Sequence, residues 1–216
     1  VLVMNTPGGN AISVAEHTLA LMLALARMIP EASASTCAGK WEKKKFLGNE
    51  LRGKTLGVLG LGNIGQEVVR RARGFEMRII ASDPYVNPET AADLGVELVS
   101  VEDLLAGADY ISLHMALTPE TRGIINAESI ARMKPGVMII NTSRGGLVDA
   151  HALVDGLVSG KIGSAGLDVY EEEKDYFFED TSDMIMKDET LARLTTFNNV
   201  IVTGHMAFLT REALLN

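Results

Sequence analysis

From residue 54 onward, short continuous hydrophobic runs alternate with segments of helical periodicity. The hydrophobic runs predict strands, and the helical periodicity predicts helices in the segments between them. Continuous rather than alternating apolar runs are typical of strands that helices cover on both faces of a parallel sheet. The pattern therefore predicts an α/β fold with a doubly wound parallel sheet. Strands are predicted at 56–60, 77–82, 110–114, 137–141, 165–169 and 200–203, and helices at 64–73, 88–94, 101–106, 127–133 and 149–159.

The first 53 residues have a different pattern. Residues 1–4 predict a short strand, and 38–53 predict an irregular exposed connection. From Ala11 to Ile29 the chain is apolar on nearly all sides of a predicted helix, which is typical of a helix buried in a core or subunit interface. Its uninterrupted apolar part is too short to cross a membrane, because Glu16, His17 and Arg27 interrupt it. His17 is predicted to be an interface or core residue.

Composition narrows the possible partners. The 216 residues are 47% hydrophobic and 22% charged, as in ordinary globular proteins. A net charge of −8 argues against nucleic acid as a partner. One cysteine, Cys37, excludes an internal disulfide and favours a reducing, cytoplasmic location. No Cys/His cluster has the spacing of a metal site.

A glycine-rich turn follows the first strand of the alternating region. Gly60, Gly62 and Gly65 form a G-x-G-x-x-G pattern that includes Asn63 and Ile64 and leads into a predicted helix. Such a turn lets the backbone approach a pyrophosphate at a helix N-terminus. Asp83 lies downstream, where a carboxylate accepts hydrogen bonds from a ribose diol and repels a 2′-phosphate. This arrangement predicts a Rossmann-type site for NAD rather than NADP, and an ordinary glycine turn is the alternative.

Polar side chains follow several of the predicted strands. They are Asp83, His114, Arg144, Asp168 and His205. Because ligands bind at the carboxyl edge of a doubly wound sheet, we expect these residues to lie along one edge.

Three residue types there suit acid–base chemistry on a carboxylate substrate. Arg144 could bind a carboxylate in a bidentate way and polarise a carbonyl, or instead form a structural salt bridge. His205 could transfer a proton near neutral pH, or be a structural histidine. One of the three glutamates at 171–173 could orient the His205 imidazole, whereas the others are expected on a solvated surface.

These residues together resemble the NAD-binding domain of the D-2-hydroxyacid dehydrogenases over almost the whole chain. The matching segments are the glycine turn with Asp83, residues 114–121 (HMALTPET), 141–146 (NTSRGG), 166–171 (GLDVYE) and His205. Ala116 stands where many members have proline. The resemblance implies that residues 1–216 form one NAD-binding domain. Its parts are an interface helix and connection (1–53), a Rossmann core (54–170), and an acidic insertion with the histidine-bearing last strand (171–216).

The resemblance also implies roles for individual residues. His205 would exchange the proton at the substrate oxygen, Glu173 would pair with it, and Arg144 would hold the substrate carboxylate and carbonyl. The helix from Ala11 to Ile29 would form a homodimer interface. The implied cofactor-binding residues are Gly60, Gly62, Asn63, Ile64, Gly65, Asp83, Met115, Ala116, Thr121, Thr142, Ser143, Arg144, Asp168, His205 and Ala207.

Two parts of the chain resemble different branches of that family. Residues 1–161 resemble the 3-phosphoglycerate dehydrogenases, whereas the chain from Ser164 onward, with 174–180 and 203–210, resembles the fermentative D-lactate dehydrogenases. A chimeric chain is one interpretation. By length of match we favour a 3-phosphoglycerate substrate, with D-lactate as the alternative. The family's substrate-binding cap domain has no counterpart here, so we expect this polypeptide alone to bind NAD and to be weakly active or inactive.

Three other function classes remain as alternatives. A non-catalytic NAD-sensing module can share this fold together with Arg144, Glu173 and His205. A methyltransferase uses a similar glycine turn, but the set of Arg144, Glu173 and His205 argues against it. A short-chain dehydrogenase is disfavoured because no Tyr-x-x-x-Lys pair lies on a suitable helix.

Overall fold

The computed structural model describes residues 8–173 and 186–216. The strand predicted at 1–4 and the segment 174–180 lie outside these residues. The helices are α1 (Ala11–Ala26), α2 (Ile29–Cys37), α3 (Asn63–Ala72), α4 (Pro88–Asp93), α5 (Val101–Gly107), α6 (Ala127–Arg132), α7 (Ala150–Ser159), α8 (Glu189–Leu194) and α9 (Arg211–Leu215). The strands are β1 (Thr55–Leu59), β2 (Arg78–Ser82), β3 (Glu97–Leu98), β4 (Tyr110–Leu113), β5 (Val137–Asn141), β6 (Ile162–Leu167) and β7 (Val200–Val202).

One sheet organises the molecule. Its strands are all parallel and follow the order β3-β2-β1-β4-β5-β6-β7. The chain moves outward from β1 to β3 and then returns to the other side of β1, so the strand order reverses between β1 and β4. A ligand crevice is expected outside the carboxyl ends of these two strands. The predicted doubly wound parallel sheet is thus confirmed.

Helices cover both faces of the sheet, which explains the continuous apolar runs. On one face, residues of α1 and α3 such as Met22 and Val68 pack against β1 and β5. On the other face, Leu104 of α5 and Leu153 of α7 pack against residues such as Ile111 in β4. All five residues of β1 and of β5 are buried.

The long apolar helix predicted over 11–29 is shorter than expected. It ends at Ala26. A second helix, α2, then runs from Ile29 to Cys37, a segment for which no separate helix was predicted. Met28 adopts a left-handed backbone with φ 51°, which an α-helix does not accommodate, and Pro30 lies in the first turn of α2. In the part of the chain that the structure describes, no single helix meets the length and apolarity needed to cross a membrane; α1 and α2, bent by 62°, meet them only as a pair.

Other element boundaries also differ from the prediction. Strand β6 begins at Ile162 rather than 165, because glycines and a serine weakened its hydrophobic signal. Gly163 is required there, since a Cβ on it would lie 2.5 Å from the Gly136 carbonyl oxygen. The two-residue strand β3 and the short helices α8 and α9 were not predicted, because each is too short for its periodicity to be recognised.

Candidate functional site

The glycine turn between β1 and α3 has one face packed and one face open. A Cβ on Gly60, whose φ is 94°, would lie 2.7 Å from the His114 carbonyl, and one on Gly65 would lie 2.1 Å from the Gly60 oxygen. A Cβ on Gly62 would meet nothing within 4 Å. Gly60 and Gly65 therefore allow the turn to pack closely, whereas Gly62 leaves its outer surface open to a ligand.

The N-terminus of α3 opens onto the same surface. Gly62 is its N-cap, and in this fully described turn no side chain caps the helix and no acidic residue is present. The first helical bond is donated by Gln66 N–H to the Gly62 oxygen, so the amides of Asn63, Ile64 and Gly65 lack intrahelical partners. These free donors and the positive end of the helix dipole suit an anionic pyrophosphate.

Asp83 is held beside this turn at the end of β2. Its Oδ2 accepts a hydrogen bond of 2.7 Å from the Leu61 amide, and its Oδ1 accepts one of 2.8 Å from the Tyr85 amide. The carboxylate is half-buried and keeps lone pairs for further donors. An open glycine surface, free helix amides and a fixed carboxylate fit the pyrophosphate and ribose diol of NAD, so the fold can hold this cofactor.

Hydroxyl side chains fasten the loops that follow β4 and β5. Ser143 Oγ donates to the Met115 carbonyl at 2.7 Å, and Thr121 Oγ1 donates to the Ala116 carbonyl at 2.7 Å. Thr142 is buried, and its hydroxyl lies 2.8 Å from that of Thr18 on α1. These hydroxyl groups hold the two loops in place through hydrogen bonds within the protein.

Asp168 at the end of β6 is 1% exposed, and its carboxylate organises the loop after β7. Oδ1 accepts hydrogen bonds from the Thr203 hydroxyl at 2.5 Å and the Met206 amide at 3.0 Å. Oδ2 accepts one from the Ala207 amide at 2.9 Å. Asp168 and Ala207 are both among the cofactor-binding residues that the resemblance implies; in the structure the Ala207 amide binds the Asp168 carboxylate.

His205 lies in that loop with a left-handed backbone, φ 53°. Its amide donates to the Asp168 carbonyl at 2.7 Å, and its Nδ1 lies 3.1 Å from Glu173 Oε1. Glu173 Oε2 in turn accepts a hydrogen bond of 3.1 Å from the Tyr170 amide. Both side chains remain partly exposed, at 29% for His205 and 20% for Glu173. The structure thus pairs these two side chains across 32 residues of chain, and a carboxylate at Nδ1 fixes the tautomer of an imidazole.

Arg144 follows β5 at the same edge of the sheet. It is exposed, and its guanidinium donates to the Ser143 carbonyl at 2.7 Å while making no ion pair with any described residue. The turn after Arg144 packs on the turn before Glu173, since a Cβ on Gly145 would lie 2.1 Å from the Tyr170 carbonyl. The arginine is therefore available for an anion, and its turn is fixed next to that of the carboxylate.

A cleft of about 530 Å³ lies beside His205 and is mainly apolar. The ring of Phe208 stands edge-on to the imidazole, with centroids 6.3 Å apart. The cleft is lined by Asp168, Tyr170, Glu173, Leu191, Val202, Thr203, Gly204, His205, Met206, Phe208 and Leu209. Within the described residues no group of three or more His, Cys, Asp or Glu side chains is placed to hold a metal ion.

One further side chain at this edge was not predicted to lie near the site. His17, expected at an interface or in the core, reaches from α1 to within 3.1 Å of Thr203 Oγ1 and 3.5 Å of Asp168 Oδ1. The available signal was the presence of Ser13, His17 and Thr18 in a helix that is otherwise almost entirely apolar.

Comparison with known proteins gives a consistent assignment. Residues 19–207 match the family described as D-isomer specific 2-hydroxyacid dehydrogenase, NAD binding domain. The chain is 48% identical over all its residues to D-3-phosphoglycerate dehydrogenase of Archaeoglobus fulgidus, of which it covers 38%. It is 51% identical over 99% of its residues to hydroxypyruvate reductase of Thermotoga maritima, of which it covers 65%.

A solved structure described as the pyruvate reductase of Chlamydomonas reinhardtii is similar with a TM-score of 0.94 and 43% identity. The match covers 99% of this chain and 65% of that one, so this chain spans less than two thirds of these relatives. The chain belongs to the D-isomer specific 2-hydroxyacid dehydrogenases and comprises their NAD-binding domain.

Proposed function

We propose that the chain is the NAD-binding part of an oxidoreductase that reduces a 2-oxo acid to a D-2-hydroxy acid, and catalyses the reverse. The observation that carries this proposal is the contact of 3.1 Å between His205 Nδ1 and Glu173 Oε1 at the edge that also bears the glycine turn. A histidine oriented by a carboxylate beside a nicotinamide site can supply the proton that accompanies a hydride.

The cofactor site is proposed to extend along the carboxyl edge of the sheet. The turn from Gly60 to Gly65, with the amides of Asn63 and Ile64, would hold the pyrophosphate, and Asp83 would accept from the adenosine ribose. The loops bearing Met115, Ala116 and Thr121, and then Thr142 and Ser143, would line the cofactor through their backbones. The segment joined by Asp168 and Ala207 would enclose the nicotinamide end, where bound NADH supplies the hydride.

Arg144, Glu173 and His205 are proposed to act on the substrate. The exposed guanidinium of Arg144 would bind the substrate carboxylate and polarise the adjacent carbonyl. His205 would donate a proton from its ring to the carbonyl oxygen during reduction and take it back during oxidation. Glu173 would stabilise the imidazolium and keep the ring oriented.

A 3-phosphoglycerate-type substrate is the first candidate, supported by the relatives named D-3-phosphoglycerate dehydrogenase and by the length over which they match. Pyruvate and D-lactate are the second candidate, favoured by the apolar cleft beside His205, in which Phe208 contacts the imidazole. The described lining of that cleft contains no lysine or arginine to bind a phosphate.

We further propose that the chain forms a homodimer through the outer face of α1, in a reducing, cytoplasmic compartment. Ile12 on α1 is 55% exposed, and Trp41 and Leu47 in the following connection are 87% and 88% exposed. An interface would bury these side chains, because contiguous exposed apolar patches are typical of protein interfaces. Sedimentation velocity of the chain and of an Ile12→Glu variant tests this contact: a dimer that the substitution dissociates supports it.

Fluorescence titration with NADH and NADPH tests the cofactor assignment. We expect NADH to bind at least tenfold more tightly than NADPH, because the Asp83 carboxylate would repel a 2′-phosphate. Competition of pyruvate, hydroxypyruvate and phosphohydroxypyruvate for the oxidation of bound NADH then ranks the substrates. Dimerisation that requires bound NADH would instead favour a non-catalytic NAD sensor, whereas a lack of oxidation by the isolated chain is compatible with either function.

A further inference from the structure

We propose that His17 is a positioning residue, whose ring N–H on α1 orients the Thr203 hydroxyl and thereby holds the loop that carries His205. The inference rests on the proposed function for the catalytic role of His205, whereas the hydrogen bonds that link His17 to its loop are independent of that function. It links a residue of the first helix to the last loop of the site through a chain of hydrogen bonds.

Hydrogen bonds connect His17 to the loop of His205 in three steps. His17 Nε2 lies 3.1 Å from Thr203 Oγ1, and Thr203 Oγ1 lies 2.5 Å from Asp168 Oδ1. The same carboxylate accepts from the amides of Met206 and Ala207, which flank His205 on its C-terminal side. A chain of three side chains therefore connects α1 to the backbone on which His205 is mounted.

Chemistry fixes the direction of each bond. An ionised carboxylate can only accept, so Thr203 must donate its single hydroxyl proton to Asp168. The Thr203 oxygen is then left as an acceptor toward His17, and His17 must carry a proton on Nε2. His17 Nε2 also lies 3.5 Å from Asp168 Oδ1, so the same N–H faces both acceptors. A neutral His17 is thus required in its Nε2–H tautomer.

The loop needs such support because His205 has a positive φ, which is unfavourable for a residue with a Cβ. Strained backbone of this kind persists only where the surroundings hold it. Asp168 supplies most of these contacts, but its carboxylate is buried and depends on correctly oriented donors. Without His17, the Thr203 hydroxyl loses the partner that completes its hydrogen bonding.

Helix α1 is a suitable anchor because it contacts two further loops at the same edge. The Ser13 hydroxyl lies 2.7 Å from that of Thr210, and the Thr18 hydroxyl lies 2.8 Å from that of Thr142. His17 is therefore the middle of three polar contacts from one helix to the strand-end loops. Its side chain is 20% exposed, so its position is set by these contacts and not by complete burial.

Histidine-selective ¹⁵N NMR of the 216-residue chain tests the proposal, at pH 9 and without substrate. His17→Met removes the donor with little loss of volume, His17→Gln keeps an N–H at the position of Nε2, and His151→Met on the exposed face of α7 is the matched control. The readouts are the ring ¹⁵N shifts of His17 and His205, and the exchange rate of the Ala207 amide relative to the core amide of Ile139. Normalising to Ile139 removes any change in global stability.

In the wild-type chain we expect His17 to be protonated on Nε2 and His205 on Nδ1, toward Glu173. His17→Met should shift His205 toward the Nε2–H form or an average of the two, and speed the normalised exchange of Ala207 by about tenfold or more. His17→Gln and His151→Met should match the wild type. Wild-type shifts and exchange in His17→Met would overturn the proposal, as would a His17→Gln chain that behaves like His17→Met.

NADH titration of the same variants separates this inference from the proposed function. A chain that binds no NADH contradicts the function whatever the ring shifts show. A chain that binds NADH, with His205 unaffected in His17→Met, contradicts only the positioning role of His17.

Discussion

One carboxylate oxygen of Glu173 contacts His205, and the other is bound by a backbone amide of the turn that carries Glu173. Oε1 lies 3.1 Å from the imidazole Nδ1, while Oε2 accepts from the Tyr170 amide at 3.1 Å. The carboxylate is therefore oriented by the backbone before it meets the ring. Its contribution should come from charge and orientation together, and these can be separated by substitution.

Glu173→Gln should leave NADH binding within about twofold and slow the oxidation of bound NADH by a 2-oxo acid by about a hundredfold. The amide keeps the shape of the side chain but cannot stabilise an imidazolium. Stopped-flow absorbance of bound NADH measures the rate. Glu172→Gln, at the neighbouring exposed position, is the matched control and should react like the wild type. Equal slowing of both variants would contradict the pairing.

Asp83→Asn should weaken NADH binding by about ten- to a hundredfold, because hydrogen bonds to a charged acceptor contribute about 1.5–3 kcal/mol. The same change should narrow the preference for NADH over NADPH, since the repulsion of a 2′-phosphate is removed. Isothermal titration with both nucleotides measures this effect. Asp93→Asn, exposed on α4, serves as the control. An unchanged ratio of the two affinities would show that Asp83 does not select the cofactor.

Two glycines of the turn should respond in opposite ways to alanine. Gly62→Ala adds a Cβ with nothing within 4 Å, so the chain should fold normally but lose NADH affinity where the pyrophosphate approaches. Gly65→Ala places a Cβ 2.1 Å from the Gly60 oxygen, and this clash should lower the free energy of unfolding by about 2 kcal/mol or more. Urea denaturation and NADH titration distinguish the two effects. Normal NADH binding by Gly62→Ala would contradict the proposed position of the pyrophosphate.

His114 should make the stability of the fold depend on pH. Burial lowers its pKa to about 3, and its Nδ1 is enclosed without a partner among the described residues. The unfolded chain, with a pKa near 6.5, binds this proton more readily, so stability is present above pH 6.5 and is lost as the pH falls toward 3.

The free energy of unfolding measured in urea between pH 6 and pH 4 tests this. His114→Gln removes the titrating ring and should flatten the slope by about 1 kcal/mol per pH unit. His151→Gln, an exposed histidine, should leave it unchanged. Identical slopes in the wild type and His114→Gln would contradict the burial of a neutral imidazole.

The sequence predicted the elements with strong local patterns. The continuous apolar runs of β1, β4 and β5 and the glycine turn define the parallel sheet and its crevice, because each signal lies within a few residues. The break at Met28 and the short β3 were missed, since a left-handed residue and a two-residue strand leave no periodicity.

Contacts between residues far apart in the sequence were harder to predict than these local elements. The pairing of His205 with Glu173 was expected from the family resemblance, whereas the residues alone left open which of the three glutamates at 171–173 would pair with it. The contact of His17 with Thr203 was not, because it joins residues 186 positions apart, and neither strand nor helix periodicity relates them. The binding of Ala207 by Asp168 was likewise set by tertiary packing, which turns the carboxylate into the loop.

We propose above that His205 transfers a proton as a 2-oxo acid is reduced at this site. Single-turnover oxidation of bound NADH by a 2-oxo acid, followed by separation of the product on a chiral phase, measures this transfer. We predict a slow reaction that yields the D-2-hydroxy acid, is at least a hundredfold slower in His205→Asn, and is unchanged in His151→Asn. Formation of the L-isomer, or an unchanged rate in His205→Asn, would contradict it.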